Sequence, residues 1–314
     1  MLSDVTRLVI ETSDFLNIDE MLVEKDYYVT QVIHSLSDIE NEFFRLIFAG
    51  GTCLAKAHRI VNRMSEDIDF KIQPKLTLEN FSNTKKLKEL KAFREFVSSK
   101  LQHAGLSFNA PIVRNEGKYS RIEISYPRGF FGEHTNLRPH ILLELTQSEV
   151  RLPTENITVK TLIEETFDTK KLFSTLFTTC ISVEETAIEK WVSLTRRIMA
   201  IERGREDDDK TLIRHVYDLN AINEANKINS SFTEFAKTIV VSDGKQFKNQ
   251  HPEYAADPSA EIRQSLALLK DKPLWKERYE EFIEAMVYDS TNALPYDEAI
   301  SVLEGVSANV INNL

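Results

Sequence analysis

Within residues 44–72, an apolar run, FRLIFA, leads straight into Gly50 and Gly51. TCLAKAHRIV follows at helical spacing, and DIDFKI then alternates like a strand. This strand, turn, helix, strand order limits the fold more than any other feature of the chain. Two glycines at a strand end permit a tight turn and let a ligand phosphate approach the backbone, and a helix opening at Thr52 presents unpaired amides that favour anions. In an extended DID, Asp67 and Asp69 point to one face and Ile68 to the other. Two carboxylates so close repel each other unless a cation lies between them, and a hard divalent ion with oxygen ligands suits the pair.

The flanking patterns give the surroundings of this unit. DVTRLVIETSDFL and EMLVEKDYYVTQVIHSL predict two helices before it, and a long helix is predicted over 84–104 after it. GLSFNAPIV, SRIEISY and HILLELT then read as strands, separated by segments holding Gly117, Pro127, Gly129, Gly132 and Pro139. Strands grouped with flanking helices mark an α+β order. From about Val159 the spacing is helical almost to the end. Ser182 and Glu185 have the arrangement of a capping box opening VEETAIEKWVSLTRRIMAIE, and further helices are expected in DKTLIRHVYDLNAINEA, PSAEIRQSLALLK, LWKERYEEFIEAMVY and DEAISVLEGVSANVI. The expected division is residues 1–155, a mixed sheet flanked by helices, and 156–314, an α-helical bundle. At 314 residues and 42% hydrophobic, the chain has the length for roughly two domains.

A third carboxylate for the ion is expected on a neighbouring strand. Glu144 in ILLELT fits, because Leu143 and Leu145 face the other way. A metal, three acids and an anion-binding turn together serve in-line nucleotidyl transfer, in which Mg²⁺ or Mn²⁺ holds the triphosphate of an NTP substrate and activates the attacking hydroxyl. Arg63 and Ser65, just before the aspartates, are further candidates for the triphosphate. The spacing sets Lys190 either as a plain surface lysine or at the border of an apolar helix face, where Arg197, two turns on, shares its side and makes a candidate phosphate-directed pair. For Lys25 and Asp26, a structural ion pair between helices stands at least level with a functional role.

Composition excludes several rivals. The net charge of −10 argues against broad nucleic-acid binding, although KKLKELKAFR and RRIMAIERGR each concentrate positive charge on a helix, either as a solvated face or as a polyanion contact. The two cysteines, Cys53 and Cys180, show no metal-ligand spacing and fit a reducing cytoplasm. No segment has the length and apolarity of a membrane span or signal peptide, so no membrane partner is expected. His58, His103, His134 and His140 accompany no oriented nucleophile. Trp275, Tyr279 and Phe282 stand at helical spacing and read as core.

GGTCLAK followed by NRMSEDIDF resembles the nucleotidyltransferase AbiEii/AbiGii toxin family. VEKDYYVTQVI, PHILLELT, EETAIEKWVSLTRR and RHVYDL extend the likeness in order. The resemblance implies a minimal nucleotidyltransferase fold of the DNA polymerase β type joined to a helical domain. It also implies phosphate contacts at Gly50, Gly51 and Thr52, metal binding at Asp67 and Asp69, and an acidic set completed by Glu144. Functional roles are carried over to Lys190 and Asp218, Lys190 contacting nucleotide phosphate and Asp218 orienting it or a partner side chain. The family further implies a toxin of a bacterial toxin–antitoxin or abortive-infection (phage-defence) system, a tRNA 3′ end or other RNA as acceptor, and a cognate antitoxin of winged-helix type. His215 stands where the first Asp of the family's R-D-x-x-D-L is expected. That departure raises one alternative, an NTP-binding regulator without turnover. A metal-dependent phosphodiesterase using the same acids is another, and no HD motif supports it.

Overall fold

The computed structural model describes residues 4–127, 137–175, 177–312 and 314. Among them the chain forms two compact units, residues 1–59 with 64–182, and residues 60–63 with 183–314.

The first unit is built on a mixed sheet. Its strands are β1 (Phe44–Ala49), β2 (Asp67–Pro74), β3 (Ser107–Phe108), β4 (Ile112–Arg114), β5 (Tyr119–Ser125), β6 (Ile141–Gln147), β7 (Glu155–Thr158) and β8 (Phe177–Cys180). The order is β3-β5-β6-β2-β1-β8-β7, with β4 also on β5. β2 runs parallel to β6 and β1 parallel to β8, while β1 and β2 are antiparallel. GLSFNAPIV does not form one strand. Pro111 has no N–H to give the ladder, and the segment breaks into β3 and β4 on either side of residues 109–111. The sheet also takes in β7 and β8, so this unit runs past residue 155, where the loss of strand patterning alone would set the division.

Its α-helices among the described residues are α1 (Asp4–Leu16), α2 (Glu20–Ser35), α3 (Gly50–Lys56), α4 (Asn83–His103) and α5 (Leu162–Thr166). α4 directs Leu90, Phe93, Val97 and Leu101 into one apolar cluster with Phe44, Ile122, Leu143, Leu145 and the α2 residues Val29, Val32 and Ile33. Those are the alternate positions of the strands, so the apolar face of the sheet is covered and its opposite face carries the polar residues. α1 and α5 meet α2 through Leu8, Val9, Val23 and Ile163.

The second unit is helical: α6 (Val183–Glu202), α7 (Arg214–Glu224), α8 (Ser230–Phe247), α9 (Pro252–Ala256), α10 (Pro258–Asp271), α11 (Pro273–Met286) and α12 (Tyr296–Ile311). Trp191 has no exposed surface, and its indole N–H donates to Ser307 on α12 at 2.9 Å. Trp275 and Tyr279 are buried as core residues. Residues 60–63 join this unit through an antiparallel bridge between Arg63 and Val287.

Candidate active site

β1 ends at Ala49, and Gly50 turns the chain with φ +74°, a left-handed conformation that favours glycine. Ala49 pairs with Asp69 across β1 and β2. A Cβ on Gly50 would lie 1.9 Å from Asp69 Oδ2, so the missing side chain makes room for that carboxylate. Two independent reasons therefore require glycine here.

Asp69 pairs with Glu144 across the parallel strands β2 and β6, and Asp67 stands two residues back along β2. Directly opposed residues share a face, so all three carboxylates rise from the polar side of the sheet. Ile68, Leu143 and Leu145 are buried on the other side. The carboxylates do not converge, however. Asp67 Oδ1 accepts a hydrogen bond from the Arg138 guanidinium, and Glu144 Oε1 accepts one from the Tyr119 hydroxyl. Among the described residues no three Asp, Glu, His or Cys side chains gather closely enough to hold a metal ion. The donor set of hard oxygens on adjacent strands still fits a divalent cation in its chemistry.

Thr52 is wholly buried, its hydroxyl donating to the Asp67 carbonyl oxygen and lying 2.9 Å from the Ser65 hydroxyl. Its side chain thus ties the glycine turn to the start of β2, and Ser65, also buried, shares in that tie. Both hydroxyls are thus engaged within the protein, which gives these residues a positional part at the turn.

Behind the acids lies a network that the sequence only hinted at. Lys25 on α2 pairs with Glu66, the residue before Asp67, and Asp26 pairs with Lys56 at the end of α3. Asp26 also accepts the Leu162 amide at 2.8 Å, at the start of α5. Lys25 and Asp26 therefore join α2 to both ends of the glycine-to-aspartate segment, each with its own partner. Burial lowers the affinity of Lys25 for its proton, although Glu66 pulls the other way. Burial and the hydrogen bond to Glu144 push the Tyr119 hydroxyl up, which keeps it a donor.

The remaining predicted residues lie in the helical unit. Asp218 on α7 is fully buried. It accepts Arg63 Nε and Nη2 at 2.7 Å each and lies 2.8 Å from Lys190 Nζ on α6. Burial pushes the Asp218 carboxyl up, but Arg63 and Lys190 outweigh it and hold the carboxyl well below the usual range. Burial lowers Lys190 despite Asp218. Asp218 thus orients Lys190, and it engages Arg63 so fully that this arginine faces inward. Arg197 does not join Lys190: its guanidinium meets Glu206 at 2.9 Å and Asp209 at 3.1 Å.

At the departure from the family pattern, burial and the nearby Lys190 and Arg214 push His215 well below its ordinary pKa, and its Nδ1 is buried without a hydrogen-bond partner. Gly129, Gly132 and His134 lie outside the described residues.

Sequence reasoning missed Arg138 and Tyr119. Arg138 belongs to a segment with no periodic pattern, its only local cue being Pro139. Tyr119 is tied to Glu144 through strand register, which no local pattern encodes. Lys25 and Glu66 carried a signal, a charged residue amid apolar ones on α2 and an acid abutting the aspartates, without an indication that they meet.

Among curated proteins none matches the chain. Among solved structures, MenT4, a nucleotidyltransferase toxin from Mycobacterium tuberculosis H37Rv, is similar at 15% sequence identity and a TM-score of 0.39, covering 95% of this chain and 97% of that one. The family described as nucleotidyl transferase AbiEii toxin, Type IV TA system, matches residues 35–302, a span that holds the glycine turn, the three acids, Lys190 and Asp218. The chain therefore belongs to the AbiEii nucleotidyltransferase toxin family of type IV toxin–antitoxin systems.

Proposed function

We propose that this nucleotidyltransferase moves a nucleoside monophosphate from an NTP to the 3′ end of an RNA, tRNA being the preferred acceptor, with release of pyrophosphate. The observation that carries this reading is the placement of Asp69 opposite Glu144, with Asp67 on the same face and Gly50 open against Asp69. Asp67 and Asp69 would hold Mg²⁺ or Mn²⁺, beside Glu144, and the bound ion would neutralise triphosphate charge and acidify the attacking hydroxyl.

The chain's own groups do the positioning. The glycine turn brings backbone amides to where phosphate would lie, and Thr52 keeps that turn in register with Asp67. Tyr119 fixes the direction of Glu144. Lys190 is read as the phosphate-directed cation of the helical unit, its ammonium resting on Asp218 at 2.8 Å. In the cell, the reading is of a cytoplasmic toxin acting in phage defence, restrained by a winged-helix antitoxin. No described helix is long and apolar enough to cross a membrane.

The test is incubation of purified protein with each labelled NTP, Mg²⁺ and total RNA, beside an Asp67→Asn, Asp69→Asn variant. Label on RNA with the wild type and none with the variant is expected. No label on RNA removes the acceptor, and equal label with the variant removes the acids. A second reading, a nucleotide-binding regulator, draws on His215 in place of the family's aspartate and predicts NTP binding with no transfer at all.

A further inference from the structure

Arg138 has no part in the reaction as read above, yet the structure invests heavily in its position. Its N–H donates to Glu66 Oε1 at 2.7 Å, and its C=O accepts from Lys25 Nζ at 2.9 Å. Lys25 and Glu66 also pair with each other, and the Lys25 side chain has no exposed surface. Burying an ion pair is costly and seldom adds stability over apolar packing. Here the pair fixes the main chain of one arginine at both its polar groups, immediately beside Asp67.

The guanidinium thus delivered pairs with Asp67 Oδ1 while 38% of the Arg138 side chain stays exposed. A cation already stands on the carboxylate that a divalent ion would need. The guanidinium and an arriving ion therefore compete for that carboxylate. The main chain is held, so only the side chain moves. The anion that accompanies such an ion is a triphosphate, whose oxygens match the planar fork of an arginine.

Resting on the nucleotidyl-transfer reading of Asp67 and Asp69, we propose that Arg138 is a phosphate-binding arginine for the incoming NTP, held on Asp67 until a divalent cation displaces it. It is distinct from Lys190 and from the glycine turn, and it couples binding of the ion to recognition of the nucleotide.

Arg138→Gln tests this without touching the buried anchors, since the hydrogen bonds of Glu66 and Lys25 are to the main chain. Two affinities are read: Mn²⁺ alone, by electron paramagnetic resonance, and each of the four NTPs with Mn²⁺ and no acceptor, by calorimetry. Thermal unfolding reports on integrity, and Arg138→Lys serves as the conservative variant. Removing the competitor tightens Mn²⁺ binding several-fold, whereas loss of a charged hydrogen-bond donor weakens NTP binding roughly tenfold to a hundredfold. Arg138→Lys falls between the two on both measures.

Opposite shifts are the signature, since a purely structural arginine would weaken both or neither. Unchanged Mn²⁺ affinity, unchanged NTP affinity, or a parallel loss of both overturns the inference while leaving Asp67 and Asp69 as ligands. If wild-type protein binds no Mn²⁺ at a site abolished by Asp67→Asn, the transfer reading and this inference fall together.

Discussion

Asp218 is the residue on which two buried cations depend, and that sets the order of costs when the cluster is cut. Asp218→Asn leaves Arg63 and Lys190 facing each other without their shared carboxylate, whereas Lys190→Met leaves an intact bidentate pair. Breaking a buried pair from one side costs about 3–5 kcal/mol, so Asp218→Asn should lower stability by that amount and Lys190→Met by less, as measured by urea unfolding. The sign of the pH dependence follows from the depressed carboxyl. Its stabilisation is complete above the unfolded value, near 4, and is lost as pH falls below it, with a slope of up to about 1.4 kcal/mol per pH unit. Unfolding midpoints taken from pH 6 to pH 3 should fall more steeply for the wild type than for Asp218→Asn. At the glycine turn, Gly50→Ala sets a methyl group against Asp69 in a backbone conformation that costs an L residue about 1–2 kcal/mol. Displacement of the carboxylate should reduce nucleotidyl transfer roughly a hundredfold in a labelled-NTP assay, well beyond what the stability loss explains. The carboxylates were readable in sequence because alternation along one strand is local. Their partners, Arg138 and Tyr119, were not, because register and rotamer arise only when distant segments pair.

Between elements, two basic runs that look alike in sequence turn out to differ in kind. In α6, Arg196 meets Asp243 and lies 4.3 Å from the Phe247 ring, and Arg197 meets Glu206 and Asp209; just past its end Arg203 meets Glu261. That run is internal bracing. In α4, Lys85 lies over Phe81, Lys86 donates to a main-chain carbonyl, and Lys91 is 3.9 Å from Glu95, so the run forms an exposed face. Charge density alone could not separate them, since the acids that brace α6 come from other segments. The difference is measurable: Arg196→Ala should cost about 2–3 kcal/mol after allowance for its partial exposure. Thr84→Glu, in an exposed first turn of α4 that holds no acid, should add about 0.5–1 kcal/mol through the helix dipole and an i,i+4 pair with Lys88. Thermal unfolding of both variants checks the contrast. The same logic explains which elements were legible. β1, β2, β6 and the long helices carry several periods of pattern, whereas β7 and β8, four residues each, carry too few, and Pro111 divided what alternation alone read as one strand.

Across the whole molecule, the chain passes between its two units after Arg59, after Arg63 and after Ser182. Residues 60–63 are the excursion, a four-residue piece whose arginine is buried among helices while the next residues return to the sheet and supply Asp67. Sequence order places Arg63 beside Ser65 and the aspartates, and for that reason it read as a phosphate ligand of the same site. In the fold it is a structural member of the helical unit, bonded to Asp218, bridged to Val287 and 5.9 Å from the Phe282 ring. Each unit has its own core, so the cost of losing Arg63 should fall on the unit that houses its side chain. Arg63→Ala leaves Asp218 with Lys190 alone and should raise amide hydrogen exchange in α6 and α7 by a factor corresponding to about 3 kcal/mol, while exchange in β2 and β6 stays unchanged. Equal acceleration in the sheet would mean that the two units open as one cooperative body and that the three chain passages couple them. Unchanged exchange in both would mean that Lys190 alone suffices to hold Asp218.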